Sequence, residues 1–376
     1  MEKVLLTLIC RPKQWKTISS KDLLESGYPV YGANGKIGFY NSYTHEHPTV
    51  LITCRGATCG SINISDPKSY VNGNAMALDN LSEEVDLYYL KYYLEYRKLD
   101  DVISGSAQPQ ITGKGLSKVK IPLPPLDQQK KIAAILDAAD AYRQKTKALI
   151  EKYDELTQSL FLDMFGDPVT NPKGWGELEF KDIVIKEKNA IVDGPFGSSI
   201  KQIDYVDEGI PIIRINNVRN EGYYDAEYKY LRREKYLELI RSKVQQNDIL
   251  IARVGNTIGK ACVFNKSFEA LLSTTGVAKA SIDFTRYNLF FIIKMISLPI
   301  YKQYIMSFVQ GAGQPYLNLS KIKSFKVIDV PFDLQNQFAE RVQAIESQKA
   351  QAQASLAQAE DLFNSLLQRA FKGELS

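Results

Sequence analysis

The chain carries one series of short motifs twice, in the same order. Pro12-Lys13-Gln14-Trp15 returns as Pro172-Lys173-Gly174-Trp175, and Gly27-Tyr28-Pro29-Val30 returns as Gly209-Ile210-Pro211-Ile212. Gly56-Ala57-Thr58-Cys59-Gly60 returns as Gly255-Asn256-Thr257-Ile258-Gly259, and Gly105-Ser106-Ala107-Gln108-Pro109 as Gly311-Ala312-Gly313-Gln314-Pro315. A direct repeat this long implies two equivalent folded heads, and two heads suit a target that itself has two parts. The 376 residues leave room for two or three domains.

The separation between copies drifts from 160 at the tryptophans to 206 at Gln-Pro. Loops inserted at surface connections account for the drift. The largest is expected at 185–207, holding Asp193-Gly194-Pro195-Phe196-Gly197-Ser198-Ser199, for which no counterpart is read in the first copy. Beyond Gln-Pro the separation stays at 206: Pro125, Asp127 and Gln129 match Pro331, Asp333 and Gln335, and Phe165 matches Phe371. Length is held constant there and is free to vary in the heads.

The constant segments read as helices. Proline precedes each, Asp127 and Asp333 stand where an N-cap belongs, and Gly166 and Gly373 stop them. Apolar positions step by three and four through Ile132, Ile135, Ala139, Tyr142, Thr146, Leu149, Tyr153, Leu156 and Leu160. Phe338, Val342, Ile345, Lys349, Ala352, Leu356, Ala359, Phe363, Leu366 and Ala370 repeat the pattern, which argues a coiled coil. A helix of nearly 40 residues is roughly 55 Å long, and only 167–174 links the first to the second head. If the helices pair they run antiparallel, with a head toward each end and a pseudo-two-fold axis between. The expected fold is α/β (α+β), with a first head at 1–125, a central helix at 126–166, a linker at 167–174, a second head at 175–332 and a C-terminal helix at 333–376. Strands are expected at Val50–Thr53, 210–215 and 249–254, and helices at 87–99 and 287–307.

Composition narrows the function without naming it. A hydrophobic share of 44% fits a globular chain, and no stretch approaches a membrane span. The run from Val4 to Ile9 reads as an initial strand, because Arg11 and Lys13 follow it and no small-residue cleavage pattern appears. The expected location is cytoplasmic. Cys10, Cys54, Cys59 and Cys262 form no C-x-x-C pair and read as free thiols. His45 and His47 alone do not make a metal site. The net charge of +4 neither makes nor breaks a nucleic-acid role.

Catalytic motifs are scarce. The Gly255–Gly259 turn with Lys260 has one residue too few between its glycines for a phosphate loop, and Ala261 where Ser or Thr is needed. Polar turn residues are plentiful, of the types that read base edges and grip phosphates. In the first head these are Asn34, Lys36, Arg55, Thr58, Asn72, Asn74, Gln108, Gln110 and Lys114. In the second they are Ser198, Ser199, Lys201, Arg214, Asn216, Asn217, Arg253, Asn256, Thr257, Lys260, Thr274, Thr275 and Gln314. The repeated glycines and prolines read as fold-building turns.

The run from Ile121 to Leu136 (IPLPPLDQQKKIAAIL) is followed by Leu160–Pro168 (LFLDMFGDP), Asn171–Trp175 (NPKGW) and the closing Leu366–Leu375 (LLQRAFKGEL). Through these motifs and Asp193–Ser199, essentially the whole chain resembles the DNA-specificity subunit of type I restriction–modification systems. The resemblance implies two target-recognition domains, each reading half of a split site on double-stranded DNA with an unspecified spacer. It implies no catalytic residue, metal or cofactor in this chain. S-adenosylmethionine, ATP and Mg are expected on partners: modification (methyltransferase) subunits, two of them, and restriction (translocase) subunits. Alternatives are a methylation-only or type II-like complex, a stand-alone nuclease, and a coiled-coil interaction protein.

Overall fold

The computed structural model describes residues 3–375 apart from Asn34, Ser106, Ala107, Glu221, Ala312 and Gln314. The chain divides into two compact units, Met1–Leu149 with Ala352–Ser376, and Ile150–Gln351.

Each unit is built on the same plan. In the first, Arg11–Gln14, Ala75–Asp79, Val50–Thr53 and Ile62–Ile64 lie side by side as an antiparallel sheet. In the second, Ile191–Asp193, Val277–Ala280, Ile249–Ala252 and Ala261–Val263 do the same. Val50–Thr53 and Ile249–Ala252 are buried throughout, as uninterrupted apolar runs of strand length demand. A further sheet in each unit contains one parallel pairing, Val30 opposite Tyr70 and Ile212 opposite Leu271. A two-stranded ribbon closes each head: Lys3–Leu5 with Lys120–Pro122, and Gly176–Glu179 with Lys326–Asp329. Mostly antiparallel pairing puts the heads in the α+β class.

This pairing corrects the tryptophan alignment. Trp15 follows the strand that pairs with Ala75–Asp79, whereas Trp175 precedes the strand that pairs with Lys326–Asp329. The two are not equivalent. The counterpart of Ile191–Asp193 is Arg11–Gln14, so the segment from Asp193 to Ser199 does have a first-head equivalent, running on from Gln14. The initial apolar run also splits. Lys3–Leu5 is strand and Leu6–Ile9 is a helical turn that buries Leu6 and Ile9 and exposes Leu8. The stretch 287–307 breaks into Leu289–Ser297 and Pro299–Met306, with Pro299 opening the second helix as its fixed φ allows. No single helix among the described residues is long and apolar enough to cross a membrane.

The long helices run Leu126–Phe165 and Phe332–Lys372. Asp127 and Asp333 lie inside the first turn rather than at the cap, where they complement the helix dipole. Gly166 and Gly373 take positive φ at the far ends. Pairing is antiparallel within each unit. In the first, Gln128 donates to the Leu375 carbonyl and Lys147 pairs with Glu360. In the second, Lys349 meets Asp154 and Arg341 meets Met164. The expected seam of the second helix is buried or half-buried, but that of the first holds only at Ile132, Ala139, Thr146, Tyr153 and Leu160. Ile132, Ala133, Leu136, Thr146, Thr157, Phe161 and Phe165 are buried, while Ile135, Tyr142, Leu149 and Leu156 are exposed.

One buried glutamine in each unit joins helix to head. Gln129 accepts from Asp86 N and donates to the Glu84 and Pro124 carbonyls. Gln335 accepts from Asn288 N and donates to the Arg286 and Val330 carbonyls. Asp86 and Asn288 in turn cap the helices Leu87–Arg97 and Leu289–Ser297. Both glutamines are fully buried, so an apolar replacement strands three backbone groups at about 1–3 kcal/mol each. Gln335→Leu is expected to lower stability by about 3 kcal/mol or more in chemical denaturation, while Gln337→Leu at an exposed position of the same turn shifts it by less than about 0.5 kcal/mol.

Candidate nucleic-acid interface

In the second head one guanidinium gathers three loops. Arg253 follows the central strand, and only 8% of its surface is exposed. Its Nη1 donates to Asp193 Oδ2 at 2.6 Å and to the Thr275 carbonyl at 2.8 Å, and its Nε to the Leu317 carbonyl at 2.8 Å. Arg241 holds the other Asp193 oxygen at 3.3 Å, and Ser242 Oγ donates to the Asp193 carbonyl. The next residue, Gly194, runs so close to Thr274 that a Cβ there would lie 2.1 Å from the Thr274 carbonyl oxygen, so only glycine fits. Removing Asp193 strands the buried Arg253 guanidinium without its carboxylate, at about 3–5 kcal/mol.

The first head ties the same point without charge. Gln14 occupies the place of Asp193, and Cys54 that of Arg253. Gln14 Nε2 donates to Cys54 Sγ at 2.9 Å and to the Gly73 carbonyl at 3.1 Å, and the thiol lies 3.2 Å from the Asn74 carbonyl. Burial pushes the Cys54 thiol up, which keeps it a neutral partner. The backbone frame is identical in the two heads: Cys54 N donates to Asn74 and Ile111 N to Cys54, as Arg253 N does to Gly276 and Leu317 N to Arg253. Gly56 N and Gly255 N reach the Pro109 and Pro315 carbonyls. The repeated glycines and prolines are therefore turn-builders; Gly56 and Gly255 have φ of +90° and +63°.

This frame sorts the candidate residues. Asn72 is buried and bonded to both backbone groups of Ile18. Asn217 is buried, accepting from Arg214 N and donating to the Tyr224 and Ala226 carbonyls. With Arg253, these two belong to the framework, since all three side chains are buried and bonded into the backbone of their own head. Thr257 returns its hydroxyl to the Val254 carbonyl, and Thr274 Oγ1 accepts from Gly276 N. Lys36 is exposed on the strand Gly35–Tyr40 and Lys114 on the short helix Gly113–Leu116, and exposed on the loops and turns are Arg55, Thr58, Asn74, Gln108, Gln110, Ser198, Lys201, Asn216, Asn256 and Thr274. Ser199, Arg214, Thr257, Lys260 and Thr275 are half-buried. Asn34 and Gln314 lie outside the described residues.

Three exposed apolar side chains on these loops escaped the sequence reading, which searched for polar readers. Phe196 is 75% exposed, Tyr316 42% and Val254 36%. Val254 and Tyr316 form a β-bridge; the equivalent bridge in the first head joins Arg55 and Gln110. The signal was present in the repeat: matching the two central strands puts unlike residues at one position.

Burial raises the thiols of Cys10 and Cys262 to about 12. His45 is engaged by Thr44 and Asp79, and no cluster among the described residues could hold a metal ion.

The pattern of the type I restriction modification DNA specificity domain matches residues 1–153 and 172–360. The EcoKI specificity subunit of Escherichia coli strain K12 is 25% identical over 97% of this chain and 77% of its own length. The MjaVIII specificity subunit of Methanocaldococcus jannaschii is 23% identical over 79% of this chain and 72% of its own. Among solved structures, the type I restriction-modification S subunit from M. genitalium superposes with a TM-score of 0.59 at 17% identity, over 98% of this chain and 95% of that one. A chain from a study of type I complex assembly and conformational transition gives 0.58 at 15%, over 100% and 98%. With nearly its whole length matched by one family pattern and the same double-headed fold in the solved structures, the chain belongs to the type I restriction–modification DNA-specificity family.

Proposed function

We propose that the chain is the DNA-reading, non-catalytic subunit of a type I restriction–modification complex, and that each head reads one half of a bipartite site. The observation that carries this is the loop knot built twice on one backbone frame with different side chains at its rim. A shared frame with divergent rims makes two readers of the same kind and different specificity. Exposed Arg, Lys, Asn and Gln supply the base-edge and phosphate chemistry. S-adenosylmethionine, ATP and Mg belong to the partner subunits.

The long helices serve as spacer and platform. The constant separation of 206 from Gln-Pro onward supports a fixed length. Ile135, Tyr142 and Leu149 lie exposed at heptad spacing on the first helix, the pattern that accepts a partner helix. They are the candidate docking stripe for a modification subunit.

Three outcomes follow. Replacing residues 175–332 with another second head changes one half of the methylated motif, read by single-molecule methylome sequencing; changes in both halves would end the modular reading. Deleting one heptad from both long helices removes roughly 10 Å and shortens the unspecified spacer by about three base pairs; an unchanged spacer rejects the ruler. Ile135→Glu with Leu149→Glu abolishes co-purification of the modification subunit while leaving the melting temperature unaltered; full retention of that subunit assigns the stripe no role.

A further inference from the structure

The two heads differ in kind at their rims. At the bridge beside the knot, the first head exposes a guanidinium and a carboxamide, Arg55 and Gln110. Neither side chain has a hydrogen-bond or ion-pair partner among the described residues. At the same bridge the second head presents Val254 and Tyr316. The phenol oxygen of Tyr316 is 3.1 Å from Gln310 Oε1, so its polar end is occupied. Phe196 adds a nearly bare ring three residues beyond Asp193, on a loop fixed by Arg253, Arg241 and the close approach of Gly194 to Thr274. All three apolar groups lie within three residues of a group that Arg253 binds, or of Arg253 itself. An aromatic ring held in water on an anchored loop adds nothing to the core; its use lies in what it meets.

On the base edges of duplex DNA, the group an apolar side chain recognises is the C5-methyl of thymine, in the major groove, whereas Arg and Gln pair with the N7/O6 or N7/N6 edges of purines. We infer that the second head reads its half-site by apolar contact of Phe196, Val254 and Tyr316 with thymine methyl groups, while the first reads purine edges through Arg55 and Gln110. This rests on the DNA-reading function proposed above and assigns each half-site its chemistry.

Deoxyuridine in place of thymidine removes the methyl and keeps the Watson–Crick edge and the O4 acceptor, which makes it the direct probe. The measurement is specific binding by the complex of the full chain with its modification subunits, on a duplex carrying the site its methylome defines. Deoxyuridine in the second half-site is expected to weaken binding about four-fold per contacted methyl, and deoxyuridine in the first to leave it unchanged. 7-Deazapurines should do the reverse. Phe196→Ser, and Val254→Arg with Tyr316→Gln, act on exposed positions and should each reduce the deoxyuridine effect while first-half discrimination persists. Equal affinity for thymidine and deoxyuridine in the second half-site overturns the inference, as does a second half-site without A·T pairs. The DNA-reading function fails separately, if the wild-type complex binds no sequence in preference to another.

Discussion

Everything in this protein hangs on a glutamine buried where helix meets head. Gln129 and Gln335 each satisfy one amide and two carbonyls of the head with a single side chain. Those backbone groups would otherwise be orphaned beneath the first turn of a long helix. The hydrogen bonds fix helix rotation relative to the head in a way apolar packing alone does not, because an amide has direction. Aromatic packing then completes the joint. Phe371 meets Tyr89, Tyr93 and Tyr96 in the first unit; Phe165 meets Phe161, Phe291 and Phe338 in the second. Each head is thus held by the start of one long helix and the end of the other.

A rigid joint matters because the reading loops are held by the same economy of groups. Arg253 is one residue serving three loops; its first-head counterpart, Cys54, serves fewer. The charged knot of the second head and the neutral one of the first hold the same backbone frame. A framework residue of this sort looks like a reader in sequence. Arg253 sits beside a Gly-x-Thr turn in a basic context, yet its side chain is buried, with Nη1 and Nε bonded to Asp193, Thr275 and Leu317.

Much of the architecture was legible from residues alone, and the failures have physical causes. Continuous apolar runs marked Val50–Thr53 and the strand beginning at Ile249, and the constant separation marked both long helices. The tryptophan match misled because Pro-Lys-x-Trp is short, and strand pairing, which decides equivalence, is non-local. The seam of the first helix holds at Ile132, Ala139, Thr146, Tyr153 and Leu160 and fails at Ile135, Tyr142, Leu149 and Leu156, because stepping by three and four fits two registers when Ile132, Ile135, Leu136 and Ala139 are all apolar. Burial of Leu136, Thr157 and Phe161 marks the register taken, and a threonine carries little weight in a hydrophobic pattern. The rim residues were only half legible, since Arg55 and Gln110 look like base readers and Phe196 and Val254 look like core.

That last confusion bears on how specificity diversifies in such a frame. The bridge positions 55/110 and 254/316 hang from identical backbone hydrogen bonds. A side chain there answers to no core neighbour, so polar and apolar residues are equally compatible with folding. Arg253 and Asp193 lack that freedom, because losing Asp193 leaves a buried guanidinium without its carboxylate and losing Arg253 leaves the Thr275 and Leu317 carbonyls without their donor. Variation is therefore confined by energetics to the rim, and a change in what one head reads need not disturb the knot, the glutamine joint or the other head.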